Sequence, residues 1–155
     1  MNKRVVITGM GVVAPNGVGL PAFTNAIKNG ISGIKHDAEL ERLQFSCQIA
    51  GKPEVSTELS LHYFTELELR NFNSSGILYG VIAGIDAWKD AGLPIEINDE
   101  PDWNSGTIFG TGTSGIDKFR ESIYKIDDFH TRRLGSTAVA QTMNSGVSAY
   151  LGGKL

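Results

Sequence analysis

Between Ser74 and Ala91 two patterns share one helical period. Ile77, Leu78, Val81, Ile82, Ile85 and Trp88 recur at helix spacing, while Gly76, Gly80, Ala83, Gly84, Ala87 and Ala91 form a row of small residues three and four apart. Ser74 or Ser75 can cap the start, and Gly92 and Pro94 end the run. A helix that is apolar or small around most of its circumference has to be buried on most sides. The small row admits another backbone at close range, at a cost of about 1 kcal/mol per helical glycine relative to alanine. Asp86, Lys89 and Asp90 interrupt the segment, which excludes a membrane dimerisation face. Any fold for this chain must therefore wrap other elements around residues 74–91.

A second constraint is the loop Gly110-Thr111-Gly112-Thr113-Ser114-Gly115, set between an expected strand (Gly106 to Thr111) and an expected helix running through Ile116, Phe119, Ile123 and Ile126. Glycines at this spacing bring a backbone close to a ligand, and they match the dinucleotide fingerprint. That fingerprint also needs a second buried strand ending in an acidic residue about 20 positions on. Asp127 to Arg133 contains no run of Val, Ile or Leu to build one. A nicotinamide or flavin cofactor is thus not expected.

The rest of the chain alternates. Arg4 to Ala14 reads as a buried strand bent at Gly9 and Gly11, Leu20 to Asn29 as a short helix with Pro21 near its start, and Gly30 to Ile34 as a loop. Leu43 to Ala50 reads as a half-exposed strand, Thr57 to Arg70 as a polar helix, Asp99 to Ser105 as a polar loop, and Thr137 to Leu151 as a last helix. Alternating strands and helices predict a layered α/β fold with a mostly parallel sheet.

Composition narrows the function classes. A chain of 155 residues is one ordinary domain, and its net charge of -3 provides no electrostatic footprint for nucleic acid or an anionic membrane. No stretch reaches the 18 or so apolar residues of a membrane span, and Thr8-Gly9-Met10-Gly11 interrupts the only apolar run near the start, so no signal peptide is expected. The single cysteine, Cys47, cannot form an internal disulfide, which makes the cytoplasm the expected compartment. Glycine, at 19 of 155 residues, is abundant and implies many close contacts and turns.

Few side chains propose chemistry. Cys47 lies in an early strand-like stretch and reads as a small hydrophobe rather than a nucleophile. His36, His62 and His130 share no metal-binding or catalytic spacing and read as surface residues. Asp127-Asp128 and Glu39-Glu41 read as solvated faces, because neighbouring carboxylates do not converge as a catalytic pair must.

Four stretches carry a resemblance to one family, in order and in register: Arg4 to Gly17 (RVVITGMGVVAPNG), Gly30 to Ile34 (GISGI), Gly106 to Ile116 (GTIFGTGTSGI) and Asn144 to Leu155. Together they resemble the opening of a β-ketoacyl-acyl-carrier-protein synthase. The resemblance covers residues 1–155 and well under half of a typical member. It implies a partial thiolase-like fold, one incomplete half of a five-layer α-β-α-β-α architecture whose crowded central layer suits the small-faced helix. Members are acyltransferases of fatty acid or polyketide synthesis. They condense a thioester-bound acyl chain with malonyl-carrier protein, using a cysteine nucleophile at a helix N-terminus and two histidines.

In such proteins the nucleophile follows shortly after the stretch matching Tyr150 to Leu155, and both histidines come much later. The resemblance therefore places all three outside this sequence and implies that residues 1–155 alone do not condense acyl thioesters. It implies a homodimer, acyl carrier protein and acyl thioesters as partners, and no cofactor or metal. It also puts the glycine loop near the acyl channel, with Gly112, Thr113 and Ser114 as substrate-channel residues and Thr113 lining or gating it. Many relatives have a bulky apolar residue at the position of Thr113 and a glycine at that of Ser114, so chain-length preference does not carry over. Met143-Asn144 also lacks the proline often found before that asparagine. These departures point to a divergent subfamily serving a specialised lipid or polyketide pathway. The alternative to an enzyme fragment is a non-catalytic ketosynthase-like partner subunit that shapes a heterodimer.

Overall fold

The computed structural model describes residues 4–95 and 102–155, so residues 99–101 of the expected Asp99 to Ser105 loop lie outside the described residues. Helix α5 (Ser75–Asp90) is the axis of the fold. Its apolar face, Ile77, Val81, Ile82 and Ile85, forms the core with Phe64 and with Val147 and Leu151 of helix α8 (Gly146–Gly152). Phe72 bridges Phe64 and Tyr150, with ring centroids 5.6 and 5.7 Å away.

The small row is occupied as its composition requires. A Cβ on Gly80 would stand 2.5 Å from Val147 Cγ1, and one on Gly84 would stand 2.3 Å from Leu151 Cδ2, so α8 packs directly on α5. The N-terminal segment covers the neighbouring side: a Cβ on Gly11 would lie 1.9 Å from the Ala83 carbonyl oxygen, and one on Gly9 would lie 2.3 Å from that of Ala87. At such distances only glycine lets the two backbones meet. The Met10 amide donates to Asp90 Oδ2 at 2.9 Å and ties the same segment to the end of α5.

The expected parallel sheet is not present among the described residues. They contain two antiparallel ribbons: β1 (Val13–Ala14) with β2 (Gly17–Val18), and β3 (Ile34–His36) with β4 (Ile49–Gly51). Only the end of the expected Arg4 to Ala14 strand pairs, and Gly106 to Thr111 forms no strand. The physical reason is that neither segment has a strand partner among the described residues, and Val5 and Ile108 stand 96% and 98% exposed.

Other expected boundaries shift for local reasons. Helix α1 (Leu20–Lys28) forms as read, with Pro21 in its first turn. Of the expected strand Leu43 to Ala50 only the end forms, in β4 from Ile49. Helix α2 (Ala38–Arg42), capped by Asp37, which accepts from the amides of Glu39 and Leu40, precedes it, and the amides of Leu43, Gln44 and Phe45 turn back to carbonyls of α2 instead of pairing with a strand. The expected helix Thr57 to Arg70 splits into α3 (Thr57–Ser60) and α4 (Glu66–Leu69), because Ser56 and Thr65 each cap a separate start and Phe64 turns into the core between them. The expected helix Thr137 to Leu151 divides into α7 (Ala138–Thr142) and α8 at an extended Met143. The break brings Gly146 onto α5, where a Cβ would meet Ile77 Cδ1 at 2.6 Å.

Helix α6 (Ile116–Asp127) differs most from expectation. Its apolar residues Ile116, Phe119, Ile123 and Ile126 are exposed, and its only fully buried residue is Lys118. A turn of 3-10 helix (Thr131–Arg133) follows it, and then α7.

Candidate functional site

The glycine loop hangs between two anchored stems. On the N-terminal side, Thr107 Oγ1 donates to the Ser148 carbonyl of α8 at 3.0 Å, and Phe109 rests against Gly80 of α5. On the C-terminal side, Gly115 is buried in the left-handed region at φ 64°, and a Cβ there would stand 2.0 Å from the Gln141 carbonyl oxygen and 2.5 Å from Thr142 Cα. Glycine is thus required at 115 both by its backbone angle and by contact with α7.

Between the stems the chain is sparsely held. Gly110 and Gly112 would each carry a Cβ with no neighbour within 4 Å, so packing against the described residues does not require glycine at either position. Thr111 Oγ1 donates to the Thr113 carbonyl at 2.9 Å. Gly112 and Thr113 are exposed, whereas Ser114 is half-buried with its hydroxyl inside the protein and without a protein partner. Of the three expected channel residues, Gly112 and Thr113 thus form an exposed strip and Ser114 turns partly inward behind it. The helix after the loop leads into a 3-10 turn and α7 rather than a strand, so the second half of the dinucleotide-binding unit is not built.

Beneath the loop lies a buried polar cluster that sequence reasoning missed. Lys118 is 0% exposed, and its ammonium donates to the Asn71 carbonyl at 2.6 Å, with Glu121 3.4 Å away. Gln141, also 0% exposed, accepts from the Asn73 amide at 2.7 Å and donates to Thr137 Oγ1 at 2.9 Å and to the Asn71 carbonyl at 3.3 Å. Asn73 Nδ2 donates to Glu121 Oε2 at 2.9 Å, and Lys125 pairs with Glu121. Burial alone would raise the Glu121 carboxyl, but hydrogen bonds from Lys125 and Asn73 and the charges of both lysines outweigh it and hold the carboxyl below its ordinary range. Asp117 accepts from both the amide and the hydroxyl of Ser75, which ties the start of α6 to the start of α5. No composition signal marks Lys118: on a helix with an apolar stripe, a lysine on the opposite face reads as solvated.

The remaining candidates do not converge. Cys47 is exposed between α2 and β4, in a stretch that forms strand only from Ile49, so it does not pack as a small hydrophobe. His36 in β3, His62 in the turn after α3 and His130 just before the 3-10 turn are all exposed, as read from the sequence. His36 Nε2 lies 3.5 Å from Glu41 Oε2. No helix among the described residues is long and apolar enough to cross a membrane.

Comparison with known proteins agrees with this architecture. Residues 2–155 match the family described as "Beta-ketoacyl synthase, N-terminal domain". The chain is 35% identical over 151 residues to 3-oxoacyl-[acyl-carrier-protein] synthase 2 of Vibrio harveyi, covering 96% of this chain and 35% of the relative. It is 31% identical over 153 residues to 3-oxoacyl-[acyl-carrier-protein] synthase 1 of Buchnera aphidicola subsp. Schizaphis graminum, covering 96% and 36%. A crystal structure of a β-ketoacyl synthase from Burkholderia phymatum STM815 superposes with a TM-score of 0.72 at 21% identity, over 97% of this chain and 36% of that one. A type II polyketide ketosynthase in complex with its acyl-carrier protein superposes with a TM-score of 0.72 at 25% identity, over 99% and 36%.

The chain belongs to the β-ketoacyl synthase family, by its match to the family's N-terminal domain. Its fold is a partial, thiolase-like α/β fold, and it spans just over a third of the length of the curated relatives it matches.

Proposed function

We propose that this chain is the N-terminal part of a 3-oxoacyl-[acyl-carrier-protein] synthase, one incomplete half of a ketosynthase domain cut before the nucleophile. In the complete enzyme a cysteine thiolate takes the acyl group from its carrier thioester and releases the carrier thiol. Malonyl-carrier protein then loses CO2 to leave an enolate, which attacks the acyl-enzyme carbonyl and expels the cysteine thiolate. Two histidines aid decarboxylation and stabilise the enolate and oxyanion. This chain contributes the acyl-channel wall, with Gly112, Thr113 and Ser114 in contact with the substrate, and part of a homodimer interface.

The observation that carries this reading is the family match over residues 2–155, with the glycine loop exposed and Gly112 free of packing. Acyl carrier protein and acyl thioesters are the partners, and residues 1–155 by themselves do not turn over. The test reads the complete gene and assays both forms. A cysteine between small residues soon after Leu155, with two later histidines and condensation by the whole protein only, is the expected result. Turnover by residues 1–155 alone overturns it.

A second reading is a non-catalytic ketosynthase-like partner that shapes a heterodimer; the fold is shared with "The ishigamide ketosynthase/chain length factor", with a TM-score of 0.70 at 17% identity. Another residue in the place of the nucleophilic cysteine decides for it. Saturable binding of NAD or FAD would instead favour the dinucleotide module, which the 3-10 turn after α6 argues against.

A further inference from the structure

No backbone hydrogen bond to another element holds residues 110–114 among the described residues, and Gly110 and Gly112 pack on nothing, so the position of the strip is set by its stems. The C-terminal stem is the tighter of the two, and what fixes it is polar. Gly115 rests on the backbone of Gln141 and Thr142. One turn further along α6, Lys118 reaches the Asn71 carbonyl, which lies 47 residues earlier, and the Gln141 side chain bonds the Asn73 amide and that same carbonyl. Asn71 is held in the left-handed region at φ 58°, which turns the linker before α5 so that one of its carbonyls serves both donors. Three segments that are distant in sequence therefore meet at two fully buried polar side chains. A buried cation is retained only where its donors are satisfied, so this cluster has one stable arrangement rather than a range of sliding ones.

We propose that Lys118 and Gln141 are positioning residues for the acyl-channel loop: they lock α6 against the Asn71–Asn73 linker and α7, and so fix where Gly112 to Ser114 stand against the substrate chain. Neither side chain touches substrate. They act through Gly115, whose contact with Gln141 transmits the position of α7 to the loop. The inference rests on the channel reading of the loop for its functional meaning, while the lock itself stands on the hydrogen bonds alone.

The experiment is made on the complete protein carrying these residues, with Lys118→Met, Gln141→Leu and the milder Gln141→Glu and Lys118→Arg. Hydrogen exchange is read for amides 119–122 at the start of α6, the first of which donates to the Gly115 carbonyl, and, as a control, for amides 78–85 of α5. The expected result is exchange at 119–122 accelerated about tenfold in the apolar variants with the α5 amides unchanged, and substantial recovery in Lys118→Arg. Exchange that rises equally in both regions, or in neither, overturns the lock. If an apolar variant fails to fold, the same comparison in Gln141→Glu decides.

Steady-state condensation is then measured with hexanoyl- and palmitoyl-carrier thioesters as probes. A several-fold rise in KM for the longer chain with kcat held within twofold supports the positioning role. A loosened start of α6 with both kinetic constants unchanged for both probes overturns the channel reading while leaving the lock intact.

Discussion

Gly84 and Leu151 stand so close that a Cβ on the glycine would lie 2.3 Å from Leu151 Cδ2, whereas one on Gly11 would lie 1.9 Å from the carbonyl oxygen of Ala83. The two clashes differ in what has to yield. A leucine methyl can turn away, and alanine regains about 1 kcal/mol of helix propensity over glycine, while a helix carbonyl cannot move without breaking its own bond. Gly84→Ala is therefore expected to cost about 1 kcal/mol or less, and Gly11→Ala about 3 kcal/mol, with release of the N-terminal segment from α5. Denaturant unfolding of both variants checks this, and equal costs would contradict the packing described.

The Ser74 hydroxyl is buried, has no hydrogen-bond partner among the described residues, and does not cap the helix it precedes. Removing an unsatisfied buried polar group relieves its desolvation penalty. Ser74→Ala is expected to be neutral or stabilising by up to about 1 kcal/mol, although serine at such a position is ordinarily a cap worth a similar amount. Thermal melting of the variant distinguishes the two signs.

Lys154 donates to Glu68 Oε1 at 2.7 Å while its ammonium lies 4.7 Å from the Phe64 ring centroid, which ties the end of α8 to the start of α4. Burial pushes the Glu68 carboxyl up, but hydrogen bonds from Lys154 and Thr65 outweigh it, so its value falls below the ordinary 4.5. A depressed carboxyl contributes stability that is fully present above pH 4.5 and is lost as pH falls through the folded-state value. The stability gap between the protein and Glu68→Gln should therefore be constant near neutrality and shrink below pH 4.5 in acid titrations followed by near-ultraviolet dichroism. A gap that widens in acid would reverse the sign.

Tyr63 donates to Asp86 Oδ1 at 2.8 Å, and burial followed by that carboxylate pushes its phenol up to about 12. The neutral phenol is favoured by the fold, so this contribution is present below pH 10.0 and lost as pH rises through about 12. An absorbance titration should show a late-ionising tyrosine that disappears in Tyr63→Phe. That variant is expected to lose about 1 kcal/mol at neutral pH, because Asp86 loses a donor.

Phe119 and Ile123 on α6 are 57% and 43% exposed beside Ile116 and Ile126. An apolar stripe of that kind drives association, so residues 1–155 alone are expected to elute above monomer size. Phe119→Ser with Ile123→Ser should shift elution toward the monomer while changing stability by no more than about 0.5 kcal/mol. Size-exclusion chromatography with a urea melt measures both, and a clean monomer before substitution would count against the stripe as a contact surface.

The residue pattern alone determined the features that depend on neighbours in the chain. The glycine and alanine row of residues 76–91 required backbones to pack against α5, and Gly9, Gly11, Val147 and Leu151 meet it. The start of α1, the glycine loop and the helix after it were legible from prolines, glycines and helical spacing, as were the exposed histidines.

Tertiary structure decided what depends on partners far along the chain. Helical periodicity says that α6 has two faces but not which one the fold takes, and Lys118 is buried because the carbonyl that satisfies it comes from residue 71. Likewise, apolar runs at Val5 to Ile7 and around Ile108 supply strand propensity, but a strand exists only when a second backbone completes its hydrogen bonds. Asn144, Ser145 and Gly146 weaken the helix locally, but that the chain breaks at Met143 and restarts at Gly146 is decided by packing, because the break seats Gly146 against Ile77.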